Sequence, residues 1–359
     1  KKIKIKMASA EAPPFEMSQL TTARVFQGTS PVISMDFHHA GEMLAIAASD
    51  KTITLFNAVE GKKRKTLRCM KYGVGIVRFT HHEKSVLISS DNANGDHDIR
   101  YLSLYDNQFL KFFRGHGGKV TAIETNPSNE TFLSSSEDRT VRLWSLSGNE
   151  CLGILKFNTE SVYPSVAYDP TGLVFIANVS LGDENILRMY DSSKYREGPF
   201  NTAKISARNI SAFLMTKFPF MEQEKIQQWS NACWINLKFS ANENFILVST
   251  NSSIIIMLDA FNGNITQVFR GHVNDKKSKM EASFSADGKF ILNGSEDSKI
   301  YVWNAESGEL VAKLQGHVGI VRHVLCCPRF RLMASACSNV VLWLEKSRYN
   351  PPVPQSSYF

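Results

Sequence analysis

Seven segments of this 359-residue chain repeat one another, and the repetition constrains the fold more than any other feature of the sequence. The last aromatic or aliphatic position of each copy lies at Phe56, Leu102, Trp144, Tyr190, Leu258, Trp303 and Trp343. Five of the intervals between these positions measure 40 to 46 residues, and the fourth measures 68. Units of this length pack only on their neighbours in ring-shaped and solenoid proteins. The length therefore predicts one ring of repeats rather than two or three separate domains.

The two clearest copies, residues 133–144 and 292–303, show what each unit contains. Each ends in tryptophan and follows a Gly-His pair, at residues 115–116 and 271–272, and a third pair at 316–317 precedes Trp343. A Gly-His early and a tryptophan late in such a unit resemble WD40 repeats, each of which forms a four-stranded blade. The sequence therefore predicts an all-β, seven-bladed WD40 β-propeller, a module that usually binds other molecules and seldom catalyses.

The seventh repeat is one strand short of a complete blade. Residues 349–354 contain three prolines, which cannot donate the hydrogen bonds of a central strand. Residues 23–27 have the length and alternation of a strand and are predicted to close the ring, since an open ring exposes two unpaired edges. The expected organisation is a leader (residues 1–22), the propeller (23–345) and a proline-containing tail (346–359).

Net charge is a weak guide to the partners of this chain. It falls from +7 to +3 when the four lysines of residues 1–6 are set aside. Because Met7 and Met17 both suit an initiator, the sequence leaves open whether residues 1–6 belong to the natural chain. No basic run carries the interleaved aromatics of a single-strand binder, so direct nucleic-acid binding is not expected. No segment resembles a signal peptide or reaches the roughly 18 apolar residues of a membrane span, which predicts a soluble intracellular protein without membrane contact.

Histidines and cysteines do not fall into a metal-binding pattern. The cysteines lack C-x-x-C spacing and are expected to be buried thiols of a reducing compartment: Cys69, Cys151, Cys233, Cys326, Cys327 and Cys337. His38-His39 and His81-His82 lie at matching turns, but no carboxylate or thiolate recurs beside them, so surface turn residues are favoured over a metal site. The sequence predicts neither a metal nor a cofactor.

A serine, a histidine and an aspartate in the third repeat invite a catalytic interpretation. The set is His116, Ser134 and Asp138 with Trp144. WD40 blades carry these residue types as a hydrogen-bonded network that holds the strands together, which favours a structural interpretation. Partial copies recur at His272, Asp297 and Trp303, with Asn293 in place of the serine, and at His317, with Cys337 in place of the aspartate. A catalytic set would not be scattered in partial copies, so no catalytic residue is predicted.

Segments of the second and seventh repeats resemble one WD40 family. They are residues 71–81 (Lys-Tyr-Gly-Val-Gly-Ile-Val-Arg-Phe-Thr-His), residues 98–107 leading to 113–116, and residues 334–339 (Ala-Ser-Ala-Cys-Ser-Asn). They are similar to the WD-repeat subunit shared by COMPASS-type histone methyltransferase complexes and the phosphatase-linked cleavage and polyadenylation machinery. The resemblance spans residues 24–343.

This resemblance implies a non-catalytic scaffold located in the nucleus. Its partner would be the N-terminal region of a methyltransferase for histone H3 lysine 4, or a phosphatase-targeting subunit of the mRNA 3′-end machinery. The family is also linked to the serine-phosphorylated tail of RNA polymerase II. Which of the two assemblies this chain joins is left open by the motifs.

A second function class is a WD40 substrate adaptor of a ubiquitin ligase. Such adaptors often resemble Trp-Asp-x-Arg at the end of a third strand, whereas Trp144 is followed by Ser-Leu-Ser and Trp303 by Asn-Ala-Glu, which weakens this alternative. An enzyme with chemistry in the central channel is weaker still, because no acid, base or nucleophile is grouped.

The long fourth interval departs from the family pattern. Residues 206–230 exceed what a blade needs, and a helix is predicted over residues 220–229. The insertion is expected to emerge on the face where partner-binding loops gather. Its apolar side chains favour a partner dock or a lid over the ring, with packing onto blades four and five as the alternative. The dock is predicted at Phe213, Leu214, Met215, Phe218, Phe220, Met221 and Trp229.

One face of the ring is predicted to bind protein partners through residues that open the first strands or flank the turn aspartates. These are Ile33, Ser49, Lys119, Thr121, Glu137, Met280, Glu296 and Arg322. Lys119 and Arg322 are expected to meet acidic or phosphorylated groups, because arginine pairs bidentately with carboxylate or phosphate and lysine adds a point charge.

Overall fold

The computed structural model describes residues 16–91, 95–148, 150–157 and 164–346 of the chain. Its strands form seven antiparallel sheets of four strands each, arranged as the blades of a ring. The predicted seven-bladed β-propeller is confirmed. The interpretation of residues 1–15 and 347–359 as parts of a leader and a tail lies outside the described residues. No helix in the described ranges has the length and apolarity to cross a membrane.

One strand, β1 (Leu20–Phe26), precedes the first blade, and the first four blades then follow in chain order. Blade one contains β2 (Val32–Phe37), β3 (Met43–Ala48), β4 (Thr52–Asn57) and β5 (Lys62–Arg68). Blade two contains β6 (Val77–Phe79), β7 (Ser85–Ser89), β8 (Ile99–Ser103) and β9 (Phe109–Phe113). Blade three contains β10 (Val120–Thr125), β11 (Thr131–Ser136), β12 (Thr140–Ser145) and β13 (Cys151–Lys156). Blade four contains β14 (Ser165–Tyr168), β15 (Val174–Leu181), β16 (Glu184–Asp191) and β17 (Asn201–Ser206).

Two helices separate the fourth blade from the last three: α1 (Ala207–Lys217) and α2 (Gln223–Ser230). Blade five contains β18 (Trp234–Phe239), β19 (Phe245–Thr250), β20 (Ile254–Asp259) and β21 (Ile265–Arg270). Blade six contains β22 (Ser283–Phe284), β23 (Phe290–Gly294), β24 (Lys299–Asn304) and β25 (Leu310–Gln315). Blade seven contains β26 (His323–Cys326), β27 (Met333–Ala336) and β28 (Val340–Glu345), and its fourth strand is β1.

The closing strand pairs antiparallel with β28, from Leu20 opposite Glu345 to Phe26 opposite Val340. The predicted closure by an N-terminal strand is confirmed. The strand begins at Leu20 rather than at residue 23, because Leu20 is buried and the β-branched pair Thr21 and Thr22 extends the pleated segment. The residues assigned to a leader therefore include the start of the closing strand.

A recurrent aspartate shapes the turn between the second and third strands of three blades. Asp138 Oδ1 accepts from the main-chain nitrogen of Thr140 at 2.9 Å. In the same way, Asp50 accepts from the main-chain nitrogen of Thr52, and Asp297 accepts from that of Lys299. The residue after each aspartate adopts the left-handed backbone conformation, with φ of 62° at Arg139. An aspartate that bonds its own backbone in this way favours a tight reversal, which explains the repeated Asp in the sequence.

The six cysteines are free thiols. Cys69, Cys327 and Cys337 are buried, as expected from the sequence, and Cys151 and Cys326 are partly buried. The expectation is wrong for Cys233, which is exposed because it lies in the connection between α2 and β18.

The insertion is folded rather than a loop. Ser206 caps α1 by accepting from the main-chain nitrogen of Asn209, whose side chain in turn accepts from the main chain of Ser206. The predicted helix over residues 220–229 corresponds to α2, whereas α1 was not predicted. Ile210 and Leu214 of α1 are buried in a core shared with the outer strands β17 and β21. The insertion therefore packs on blades four and five, the arrangement that the sequence ranked second.

Candidate partner-binding site

Blade three brings the four predicted network residues together. Asp138 Oδ2 lies 2.8 Å from His116 Nδ1, and His116 Nε2 lies 2.7 Å from Ser134 Oγ. Trp144 Nε1 donates to the same serine oxygen at 2.8 Å, and Thr140 Oγ1 donates to Asp138 Oδ1 at 2.7 Å. Ser134 has no exposed surface, so its hydroxyl is unavailable to a substrate in this conformation. The network ties β11, β12, the turn between them and the connection before β10 into one unit.

The hydrogen bonds set the ionisation of this network. Burial raises the pKa of Asp138, but hydrogen bonds from Thr140 and His116 outweigh it and lower the pKa to about 2. Burial lowers the pKa of His116, and its hydrogen bond with Asp138 opposes this effect. The aspartate is therefore ionised near neutral pH.

Blade seven contains a complete variant of the network. His317 Nε2 lies 2.6 Å from Ser335 Oγ, to which Trp343 Nε1 also donates at 2.7 Å, and His317 Nδ1 lies 3.2 Å from Cys337 Sγ. Burial raises the pKa of the Cys337 thiol, but hydrogen bonding with His317 and with the main chain of Asn339 outweighs burial and lowers the pKa to about 6. The thiol occupies the place of the aspartate beside the seam of the ring.

Blade six does not form the network predicted for it. Asp297 accepts from the Tyr301 hydroxyl at 3.0 Å, and Trp303 Nε1 donates to a main-chain carbonyl at 2.9 Å. His272 Nδ1 is buried and has no hydrogen-bond partner among the described residues. The prediction for His272, Asp297 and Trp303 is wrong because Asn293 supplies no hydroxyl between the imidazole and the indole and because Tyr301 captures the carboxylate.

The predicted binding face is only partly available to a partner. Met280 is 1% exposed, so its assignment to the face is wrong: the side chain lies in the core. Glu296 is committed to the chain itself, since its carboxylate accepts from the main-chain nitrogens of Asp275 and Lys276 at 3.1 Å each. Thr121 Oγ1 lies 3.0 Å from Ser135 Oγ and is half-buried.

The remaining residues of that face are accessible in different degrees. Ser49, Lys119 and Glu137 are exposed, whereas Ile33 and Arg322 are half-buried. Lys119 Nζ lies 2.8 Å from Asp91 Oδ1, and the two side chains are 54% and 37% exposed. An exposed ion pair contributes little, about 0–1 kcal/mol, so it does not prevent Lys119 from exchanging to a partner carboxylate or phosphate.

Histidines at the neighbouring turns of blades one and two are not simple surface residues. His38 is buried, and its Nε2 lies 3.2 Å from the main-chain oxygen of His81, so the sequence-based interpretation is wrong for His38. The ring centroids of His38 and His39 lie 4.0 Å apart, with the ring planes tilted by 51°. In the described part of the chain no three His, Cys, Asp or Glu side chains converge as metal ligands would.

The sequence did not predict the charged ring inside the central channel. The channel wall contains Asp36, Arg78, Glu124 and Lys238 from the first strands of four blades and Glu281 from the segment before β22, around a cavity of about 550 Å³. Asp36, Arg78, Glu124 and Lys238 occupy the same register of their strands, and an alignment of the first strands would have revealed them. Glu281 lies two residues before the equivalent position, Ser283. None of the described residues that line this cavity belongs to the insertion, which speaks against the insertion as a lid.

Burial controls the charges of the channel. It raises the pKa of Glu124 to about 7, although Arg78, at 3.7 Å, favours the carboxylate. It lowers the pKa of Lys238, whose Nζ is buried without a hydrogen-bond partner among the described residues. Burial also raises the pKa of Glu281, but the hydrogen bond from His323 outweighs it and holds the pKa well below its usual value.

Glu124→Gln is expected to stabilise the ring at alkaline pH. A carboxyl whose folded-state pKa is raised favours folding below its unfolded pKa of about 4.3, and this contribution is lost as pH rises through the folded value of about 7. The free energy of unfolding of the variant relative to wild type should therefore rise by about 2 to 3 kcal/mol between pH 5 and pH 8. Denaturant titrations at both pH values measure it, with the exposed Glu130→Gln as control. An equal difference at both pH values contradicts the assignment.

Only part of the predicted dock in the insertion is accessible to a partner. Leu214 and Trp229 are buried in the core, so their assignment to a partner dock is wrong. Phe213, Phe218 and Met221 are half-buried, and only Met215 and Phe220 are exposed. Phe220 is fully exposed in the connection between the helices, and with Phe218 and Trp229 it lines a cleft of about 460 Å³. The apolar surface offered to a partner is therefore the tip of the insertion.

Comparison with known proteins places this architecture in a family. Residues 20–57, 107–145 and 263–304 match the family described as WD domain, G-beta repeat. WD repeat-containing protein 82 of Drosophila melanogaster is 36% identical over 347 residues, which cover 96% of this chain and 99% of that protein. This chain belongs to the WD40-repeat family of that protein.

Two further relatives carry names that point to an assembly. COMPASS component SWD2 of Saccharomyces cerevisiae is 36% identical over 236 residues, which cover 65% of this chain and 62% of that protein. Set1 complex component swd2 of Schizosaccharomyces pombe is 32% identical over 232 residues, which cover 65% of this chain and 57% of that protein. The resemblance of this WD40 family member to a COMPASS-type subunit is therefore confirmed. Proteins of this kind are typically non-catalytic.

Proposed function

We propose that this chain is a non-catalytic scaffold subunit of a nuclear COMPASS-type histone methyltransferase complex. The observation that carries the proposal is the similarity of almost the whole chain to a family in which two relatives are named as Set1 complex and COMPASS components. A closed ring of seven blades suits this role, because it presents many connections on a rigid frame.

The site chemistry supports binding rather than turnover. The serine, histidine and aspartate set of blade three, which resembles a hydrolase triad, has a fully buried serine, and Ser134 already pairs with His116 and Trp144. An acyl-transfer site needs an exposed nucleophile next to donors for an oxyanion. We therefore assign these residues to stability and the accessible surface to partner binding.

The partner is proposed to be the N-terminal region of the methyltransferase for histone H3 lysine 4. Its binding would use the exposed Lys119 and the half-buried Arg322 for acidic or phosphorylated groups, and the tip of the insertion around Phe220 for apolar contact. Met280, Leu214 and Trp229 are withdrawn from this surface because they are buried. Deletion of residues 213–221 is not a clean test, since it removes part of the core.

Affinity purification of the tagged chain from nuclear extract, followed by mass spectrometry, tests the proposal. We expect methyltransferase complex subunits to co-purify in stoichiometric amounts. Recovery of the cleavage and polyadenylation machinery with its phosphatase-targeting subunit, and no methyltransferase subunit, would overturn the assignment to the methyltransferase complex. Recovery of ubiquitin-ligase subunits alone would overturn the scaffold class.

Charge reversal at Lys119→Glu together with Arg322→Glu is expected to weaken binding of the methyltransferase by about thirtyfold or more, since each of the two lost charge pairs costs about 1 kcal/mol or more. The matched control reverses Lys156 and Lys204, two exposed lysines on outer strands of blades three and four. Both proteins should melt as wild type does. Full recovery with the first variant, or equal loss with the control, removes Lys119 and Arg322 from the binding site.

A further inference from the structure

The outer strand of blade one carries an unusual concentration of positive charge. Five of the seven residues of β5 are basic: Lys62, Lys63, Arg64, Lys65 and Arg68. All five side chains are exposed, and among the described residues only Glu60 lies within 4.0 Å of any of them as a counter-charge, next to Lys62 at 3.8 Å and Arg64 at 3.0 Å. We call these five residues the basic strand.

Protection of a sheet edge does not account for the basic strand. Exposed edge strands commonly carry a lysine, because a charge opposes pairing with another chain. The outer strands of the other six blades, β9, β13, β17, β21, β25 and the closing strand β1, carry one basic residue each. One charge per edge is therefore what the ring uses elsewhere, and blade one has four more.

The basic strand is held in an extended and ordered form. β5 pairs with β4 along its whole length, from Lys62 opposite Asn57 to Arg68 opposite Thr52. All five cations lie on one seven-residue strand, which spans about 20 Å at a rise of about 3.3 Å per residue. The basic strand therefore presents its charges to a polyanion without prior folding of the segment.

The surroundings of the basic strand favour a polyanion over an acidic peptide. Peptide docking draws most of its affinity from apolar anchors in pockets, and the only apolar residue of β5, Leu67, is buried. Phosphate contacts gain affinity from the release of counterions and need no apolar contact. Aromatic stacking platforms, whose absence from the sequence argued against nucleic acid, are required for single strands and not for the backbone of a duplex.

We propose that the basic strand is a sequence-independent contact site for the phosphate backbone of duplex DNA. Lys62, Lys63, Arg64 and Arg68 would meet the phosphates. Lys65 has a structural task as well, since its Nζ donates to the main-chain oxygens of Leu104 and Tyr105 at 3.2 and 2.8 Å and so fastens blade one to blade two. In a chromatin scaffold such a site would hold the complex against DNA, but it does not depend on that role.

Fluorescence anisotropy of the isolated full chain with a labelled mixed-sequence DNA duplex tests the proposal over a series of salt concentrations. The variant Lys62→Gln, Lys63→Gln, Arg64→Gln keeps Lys65 and removes three charges. We expect it to bind about tenfold or more weakly at low salt, with a salt slope smaller by about 2 to 3, because each phosphate contact contributes about 0.9 to the slope. The matched control, Lys217→Gln, Lys225→Gln, Arg270→Gln, removes the same charge around the insertion and should change the affinity less than about twofold.

Three results would overturn the proposal. Equal losses in both triple variants mean that net charge alone attracts the DNA. Unchanged binding of the first variant means that the DNA lies elsewhere or is not bound. A labelled polyglutamate peptide that binds more tightly than the duplex, and depends on the same three residues, identifies an acidic protein segment as the occupant. Because purified protein and a defined probe are used, failure here is distinct from failure to recover the methyltransferase complex.

Discussion

Removal of residues 1–26 is expected to unfold the propeller at physiological temperature. The deletion removes β1 and Met17, and it leaves β28, whose residues are all buried in the intact ring, as an unpaired edge. Met17 and Leu20 are 1% and 7% exposed, and burial of two such side chains contributes roughly 3 to 6 kcal/mol before any ladder hydrogen bond is considered. This is a large part of the about 5 to 15 kcal/mol that stabilises a typical domain.

Thermal unfolding followed by circular dichroism measures this effect, and the soluble yield measures it independently. The control removes residues 1–15 only, which keeps Met17 and β1, and is expected to melt as the full chain does. A protein lacking residues 1–26 that is as stable as this control would show that β1 does not close the ring in solution.

Trp144→Ala is expected to cost about 3 to 5 kcal/mol of stability, because it leaves a large cavity in a blade and frees the Ser134 hydroxyl. Asp138→Ala is expected to cost about 2 to 4 kcal/mol, since it leaves His116, Thr140 and a main-chain nitrogen without their acceptor. Asp297→Ala is the informative control. Its carboxylate is outside any histidine network and partly exposed, so the cost should stay near or below about 1 kcal/mol.

Denaturant unfolding measures the free energy of unfolding of the three variants. It compares an aspartate bonded to a histidine, in blade three, with one bonded to a tyrosine, in blade six. Equal costs for Asp138→Ala and Asp297→Ala would contradict the difference between blades three and six. A variant of unchanged stability that had lost a measurable catalytic activity would contradict the structural role of the blade-three network.

The regular part of the fold follows from counting along the sequence. Seven copies and one missing strand predict the closing strand, because a sheet edge inside a ring must be paired, and the position of Trp343 fixes which blade lacks it. The start of that strand at Leu20 was missed, since its burial depends on β28 and Met17 from elsewhere in the fold. Periodicity sets the number of strands, whereas tertiary contacts set their ends.

The site was harder to predict because it depends on competition between partners in space. Asp297 and Asp138 occupy the same turn position, yet Tyr301 takes the carboxylate in one blade and His116 takes it in the other. Leu214 and Trp229 look like a dock in the sequence, where nothing indicates that α1 and α2 turn them toward β17 and β21. The charged residues of the channel and of β5 are present in the sequence, but only the folded ring shows that they line the channel or lie on an outer strand.

The seam of the ring has a consequence for synthesis of the protein. Glu16, whose main-chain nitrogen donates to Glu345 Oε1 at 2.9 Å, is 329 residues away from its partner along the chain. A ribosome adds about 5 to 20 residues per second, so the first strand to emerge waits roughly 20 seconds to a minute for the last one. During that time β1 has an unpaired, partly apolar edge. A nascent chain that stalls before β28 is made retains this unpaired edge. Ribosome-bound chains should therefore hold a chaperone on β1 until the seventh blade has been made.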